Sequence, residues 1–195
     1  GMTSDVTLAL SELRALVGKA ARGAGLSWGM AEEAGWAAEW LARRGMPAAD
    51  WATLWLDACV TGSVGPVEVG VALADMLAFG DPPFAPWPIP DGLAAPGYLL
   101  PFLHLVATRH GAVDIRSPSG TVARILAEGE VRFGPNWGGP CRDWHVVAAS
   151  TPSQITRPAV ADSVIDCLEG LALRTTVPPS DQSRQDAGST AGDND

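Results

Sequence analysis

The chain predicts an α+β fold: an N-terminal helical layer, a small antiparallel sheet and a C-terminal helix. Three observations carry this. Apolar residues recur at spacings of three and four through the first 80 residues, a run of prolines then breaks the pattern, and beyond residue 112 apolar and polar residues alternate. Leu13, Leu16, Val17, Ala20 and Ala21 define an amphipathic helix over residues 11–24, with Ser11 as its N-cap and Gly25 as its stop. Ser27 caps a second helix to about Arg44. Arg43 and Arg44 suit the negative end of its dipole, and Gly45 terminates it. The two helices form a hairpin. Pro47 and Asp50 open a third helix to about Val60, and Pro66 a fourth through Leu77.

Seven prolines between Pro82 and Pro101 remove backbone donors, so this stretch is a loop and neither a central strand nor a helix interior. Phe102 to His110 reads as helix and ends at Gly111. Val113 and Ile115 then alternate with Asp114 and Arg116, Ser117-Pro118-Ser119-Gly120 turns the chain, and Thr121 to Leu126 resumes the extended pattern. Glu128-Gly129-Glu130 turns into Val131 to Phe133. After the loop GPNWGGPC (residues 134–141), a strand from Asp143 to Ala149 completes the sheet. Pro158 begins a last helix to about Leu173, and the tail from Pro178 has a composition that favours disorder. The expected organisation is one domain over residues 1–195: mainly helical over 2–80, a proline-rich loop over 81–101, an α+β part over 102–175 and an extended tail over 176–195.

Composition bounds the function. With 195 residues, 47% of them apolar and 18% charged, the chain can bury a substantial core. Its 22 acidic against 13 basic residues, a net charge of -9, argue against a nucleic-acid partner or an anionic membrane surface, both of which recruit basic protein surface. Asp5 and Glu12 stand where a signal peptide would be basic. The longest charge-free stretch, Gly92 to Thr108, is broken by Pro96, Pro101 and His104 and is too short to span a bilayer. Cys59, Cys141 and Cys167 are odd in number and far apart, which fits reduced thiols and a cytoplasmic setting. No metal and no cofactor is expected. The acidic stripe Asp162, Asp166 and Glu169 reads as a solvated face, and the common dinucleotide, phosphate and hydrolase signatures are missing from the sequence.

Five of the eight tryptophans, Trp28, Trp36, Trp40, Trp51 and Trp55, fall between residues 28 and 55, concentrating burial energy in one region. Pairs four apart share a helix face, which core or subunit packing explains. The run FGPNWGGPCRDWH (residues 133–145) is the densest set of recognition groups: glycines admit a ligand to the backbone, Trp137 and Trp144 offer flat walls, and Asn136, Arg142, Asp143 and His145 supply polar contacts. An extended path would put Cys141, Asp143 and His145 on one face. A cysteine–histidine nucleophile is weighed there against a buried structural thiol, and the latter is preferred because neighbours two apart on a strand diverge. In the hairpin, Arg22, Trp28 and Glu32 can wall a cleft. The plainer reading has Glu32 and Glu33 satisfying the helix dipole while Arg22 pairs with one of them. His104 reads as a satisfied core histidine, and His110 as the neutraliser of a helix C-terminus.

The runs AARGAGLSWGMAEEAG (residues 20–35) and WLARRGMP (residues 40–47), with the ending TVPPSDQSR (residues 176–184) and GDND (residues 192–195), resemble a bacterial family of domains of unknown function. The resemblance implies a cytoplasmic protein with no assigned activity and a tail that belongs to the domain, and it carries over no catalytic residue. From the residues themselves, the leading expectation is a small anionic metabolite bound between residues 20–36 and 133–145, with Arg22, Trp28, Glu32, Asn136, Trp137, Arg142 and His145 as ligand-binding residues, with or without catalysis. The rival is a non-catalytic assembly protein, a homo-oligomer packed on its tryptophan faces and tail.

Overall fold

The computed structural model describes residues 7–81 and 83–149, together with Leu168 and Leu171. Apart from these two leucines, which are helical, the expected last helix and the tail lie outside the described residues. Helix α1 (Leu10–Gly23) begins one residue earlier than its sequence suggests. The Ala9 amide donates to Glu12 Oε1 at 3.0 Å, so the first turn is satisfied by a glutamate three residues on, and Ser11 lies inside the helix rather than capping it. Helix α2 (Trp28–Arg43) starts as expected, with Ser27 Oγ accepting from the Met30 amide at 3.2 Å. Gly25 and Gly45 follow these helices with φ of +98° and +75°, a conformation that glycine adopts without steric cost and that turns the chain sharply.

The α1–α2 hairpin is close-packed through small residues. A Cβ on Gly35 would lie 2.7 Å from the Arg14 carbonyl oxygen, so only glycine permits this approach. Leu13, Val17 and Ala21 of α1 are buried with Ala31, Ala34, Ala38 and Leu41 of α2. Helices α3 (Ala48–Val60) and α4 (Pro66–Ala78) complete the four-helix layer. A 3-10 turn at Pro96–Leu99 leads directly into α5 (Leu100–His110), where Pro101 falls in the first turn and costs no hydrogen bond.

The sheet has five antiparallel strands in the order β1-β5-β2-β3-β4. They are β1 (Trp87–Pro88), β2 (Val113–Ser117), β3 (Gly120–Ile125), β4 (Val131–Phe133) and β5 (His145–Ala148). The α+β class and the sheet expected over residues 112–150 are both present. Two expectations need correction. The proline-rich stretch is not wholly loop, because two of its residues pair with β5 as an edge strand, the one place in a sheet where proline is tolerated. The last strand begins at His145 and not at Asp143, whose φ of +55° breaks the extended path.

One sheet face carries Val113, Ile115, Ala123, Ile125 and Val146, all fully buried, against Phe102, Leu103 and Val106 of α5. On the other face Asp114, 1% exposed, lies opposite Arg124 in register and accepts its fork at 2.7 and 2.9 Å. His110 Nε2 donates to the Leu77 carbonyl, so it serves the C-terminus of α4 rather than that of its own helix.

Candidate functional site

Among the described residues two grooves differ in chemistry. The first, of about 440 Å³, runs between α1 and α2. Ala15, Gly18, Ala31 and Gly35 form its small-residue floor, Arg14, Lys19 and Arg22 project from α1, and Trp28 and Glu32 stand on α2. These positions repeat at three and four residues on both helices, so one stripe of each helix builds the groove. Trp28 is 73% exposed and carries the Arg22 guanidinium 4.4 Å from its ring centroid. Arg22 Nη1 also donates to the Leu26 carbonyl at 2.6 Å. The pairing of Arg22 with a glutamate across the turn, expected from sequence, is therefore replaced by a carbonyl and a ring face. Arg14 shares Glu39 with Arg43, at 3.5 Å from Glu39 Oε1, and the Arg43 hydrogen bond holds the Glu39 carboxyl below its ordinary range. Glu33, next to the groove in sequence, has its carboxyl pushed up by burial and by the nearby charges of Asp75 and Glu32.

The second groove, of about 520 Å³, is walled by Arg44, Gly45, Met46 and Pro47 at the α2–α3 turn, by Trp51 of α3, by Gly129 and Glu130 of the turn before β4, by Val131 and Phe133 of β4, and by Trp137 of the loop that follows. Trp137 is its hub: the ring centroids of Phe133, Trp51 and Trp144 lie 4.7, 6.2 and 6.2 Å away. Trp51 is held from behind, because its ring occupies the space of a side chain at Gly97, where a Cβ would lie 2.2 Å from it. Arg44 lies 3.5 Å above the Trp40 ring and donates Nε to the Gly129 carbonyl at 3.1 Å and Nη1 to the Trp40 carbonyl at 3.0 Å. Burial, and then the charge of Arg43, lowers its affinity for its proton relative to a free guanidinium. Beside it, His104 Nδ1 accepts from Trp40 Nε1 at 3.1 Å, which leaves Nε2–H to donate to the Ala127 carbonyl at 3.1 Å. His104 is thus satisfied at both nitrogens, as its sequence setting suggested.

The segments expected to wall a single hollow are divided between these grooves. Arg22, Trp28 and Glu32 line the first and Trp137 the second, while Asn136, Arg142 and His145 line neither. Asn136 closes a turn, its carbonyl accepting from the Gly139 amide at 3.1 Å. Arg142 is exposed and forms no ion pair among the described residues. His145 Nδ1 donates to the Asp143 carbonyl at 3.3 Å, and the Asp143 amide donates to Asp91 Oδ1 at 2.9 Å. The kink at Asp143 removes the shared face that would have grouped Cys141, Asp143 and His145. Cys141 is buried, its Sγ donates to the Pro90 carbonyl at 3.5 Å, and burial pushes its thiol up, the opposite of what a nucleophile needs. Among the described residues no cluster of three His, Cys, Asp or Glu side chains could hold a metal ion, and no helix is long and apolar enough to cross a membrane.

Sequence reasoning missed the contribution of Met46, Pro47 and Trp51 to an aromatic groove. The available signal was the glycine at 97, although nothing local says which ring fills the space it leaves.

The fold is of the α+β class, a layer of helices with an antiparallel sheet, and its first hairpin carries a groove lined by Arg14, Lys19 and Arg22. Residues 8–61, spanning α1, α2 and α3, match a family described as Protein of unknown function (DUF3726). No curated protein and no solved structure matches the chain.

Proposed function

We propose that the protein binds a small anionic metabolite in the groove between α1 and α2, with Lys19 and Arg22 receiving the anion and Trp28 covering an apolar or flat part of the ligand. The observation that carries this is charge placement: a chain with a net charge of -9 lines one groove with Arg14, Lys19 and Arg22. Lys19 is the only lysine in the sequence and makes no ion pair among the described residues. A volume of about 440 Å³ suits a metabolite. Glu32, on the opposite wall, selects against ligands whose negative charge is spread along their whole length, and favours a compact anion at one end. The resemblance of residues 20–35 to a bacterial family, which implies a cytoplasmic protein, supports a bacterial, cytoplasmic setting for this binding.

The test is a melting-temperature panel of inorganic phosphate, succinate, citrate and aromatic carboxylates on the wild-type chain and on Arg22→Ala and Lys19→Ala. A ligand at one hundred times its Kd stabilises the folded state by about 2.7 kcal/mol. That shift is expected to shrink in both variants while their unliganded melting temperatures stay close to wild type. An equal shift in all three proteins would sink the reading. The rival, an assembly surface, is favoured by the exposure of Leu16 and Trp28 on the two helices that form the groove. Light scattering decides for it if the wild-type mass exceeds one chain and Trp28→Ala returns it to one.

A further inference from the structure

Strand β4 is an edge of the sheet, and its pairing fixes which way its peptide groups point. Leu126 N donates to Glu130 O at 2.9 Å and Gly134 N to Val122 O at 2.8 Å. With Arg124 opposite Arg132, residues 130, 132 and 134 are therefore the ones whose backbone groups face β3. The N–H and C=O of Val131 and Phe133 point the other way, off the edge. Both residues line the aromatic groove, and Phe133, 43% exposed, leans on Trp137. Arg132, between them, projects from the opposite face and is paired with Glu130 in a solvent-exposed contact at 3.0 Å, a kind of pair that contributes little and is readily exchanged.

We propose that this edge receives an extended peptide of the pattern apolar–Asp/Glu–apolar, added antiparallel to β4 as a sixth strand. Two donors and two acceptors repeating every second residue, about 6.8 Å apart, match an extended backbone and no compact metabolite. In that register the two apolar side chains fall on the groove face, against Phe133, Trp137 and Trp51. The acidic side chain falls on the far face directly across from Arg132, in the close, non-hydrogen-bonded position where opposite charges attract. The same register explains why a second copy of the chain is a poor occupant: pairing β4 with β4 through Val131 and Phe133 sets Arg132 against Arg132. A lone charged residue on a three-residue edge is also how sheets discourage unselective pairing.

The experiment selects phage-displayed peptides of this pattern, randomised at the apolar and flanking positions, on the full chain and on Trp137→Ala. Arg132→Glu, altered only at an exposed side chain, serves as the control should Trp137→Ala fail to fold. Enrichment on the wild type over the control is expected, with slowed hydrogen exchange at the Val131 and Phe133 amides in the complex. N-methylation of the peptide at its two apolar residues should abolish binding. Arg132→Glu should weaken an acidic peptide by up to about fivefold and favour lysine at the central position. The proposal is overturned by absence of enrichment over the control, or by peptides that bind without slowing exchange at those two amides. It also fails if light scattering shows a doubled mass with both amides already protected and no peptide added, which would give the edge to a second copy.

Discussion

The two grooves are built on opposite principles. The α1–α2 groove draws all its residues from positions 14–35, and its walls are charged side chains standing on a floor of alanine and glycine. The second joins residues 44–51 to residues 129–137, and two of its rings, Trp51 and Trp137, also pack against the interior. The first can therefore lose a wall residue without losing the fold, because its stability resides in the floor. The second cannot, because recognition and packing use the same atoms. Ligand chemistry is thus more freely altered in the hairpin than at the sheet edge.

The largest expected effect is on the sheet. Asp114→Ala leaves Arg124 without its nearly buried carboxylate and should cost about 3 kcal/mol by denaturant titration. The loss should perturb the second groove, read by tryptophan fluorescence, while anion-dependent stabilisation through the hairpin survives in the folded fraction. A variant as stable as wild type would mean that this pair contributes nothing. Gly97→Ala comes next. The added methyl meets the Trp51 ring, so about 1–3 kcal/mol is lost to overpacking and Trp51 must move away from Trp137. Unchanged Trp51 packing in a crystal structure of the variant would break the claim that this ring is held from behind.

Ser27→Ala removes the cap of α2 and should cost about 1 kcal/mol in thermal unfolding, loosening the hairpin groove and leaving the aromatic one intact. The smallest effect is at Glu39. Its folded carboxyl is held below the ordinary value by Arg43, so its contribution to stability is present above the usual carboxylate range and is lost as pH falls through the lowered value. Stability curves of wild type and Glu39→Gln should accordingly converge on acidification. Parallel curves down to the acid transition would show that the Arg14–Glu39–Arg43 contact adds nothing.

How much of this was legible in the sequence follows the same division. Helix starts and stops set by neighbours, such as Ser27 with Met30 or the glycines at 25 and 45, could be read because cause and effect lie within a turn of each other. Ser11 misled because two satisfactory first turns were available and Glu12 reaching back to Ala9 won. The sheet was legible from alternation, except where Asp143 adopts a left-handed conformation to reach Asp91, a partner some fifty residues earlier in the chain. In the hairpin, Trp28 and Glu32 could be grouped from helical spacing, and Arg22 with them because only a short turn separates the two helices. Trp137 could be recognised as a wall, but its partner across the groove could not, since α3 meets the loop of residues 134–140 only through tertiary packing.

The imidazole at position 104 has one further consequence. Receiving a hydrogen on one nitrogen and giving one on the other, it is locked in a single tautomer between the indole of Trp40 and the backbone of Ala127. It acts as a rivet through the seam where helix meets hairpin. A side chain offering neither function, such as phenylalanine's ring, would leave the indole hydrogen pointing at carbon, and of the two side-chain hydrogen bonds that tie residues 127–129 to the helices only that from Arg44 would remain.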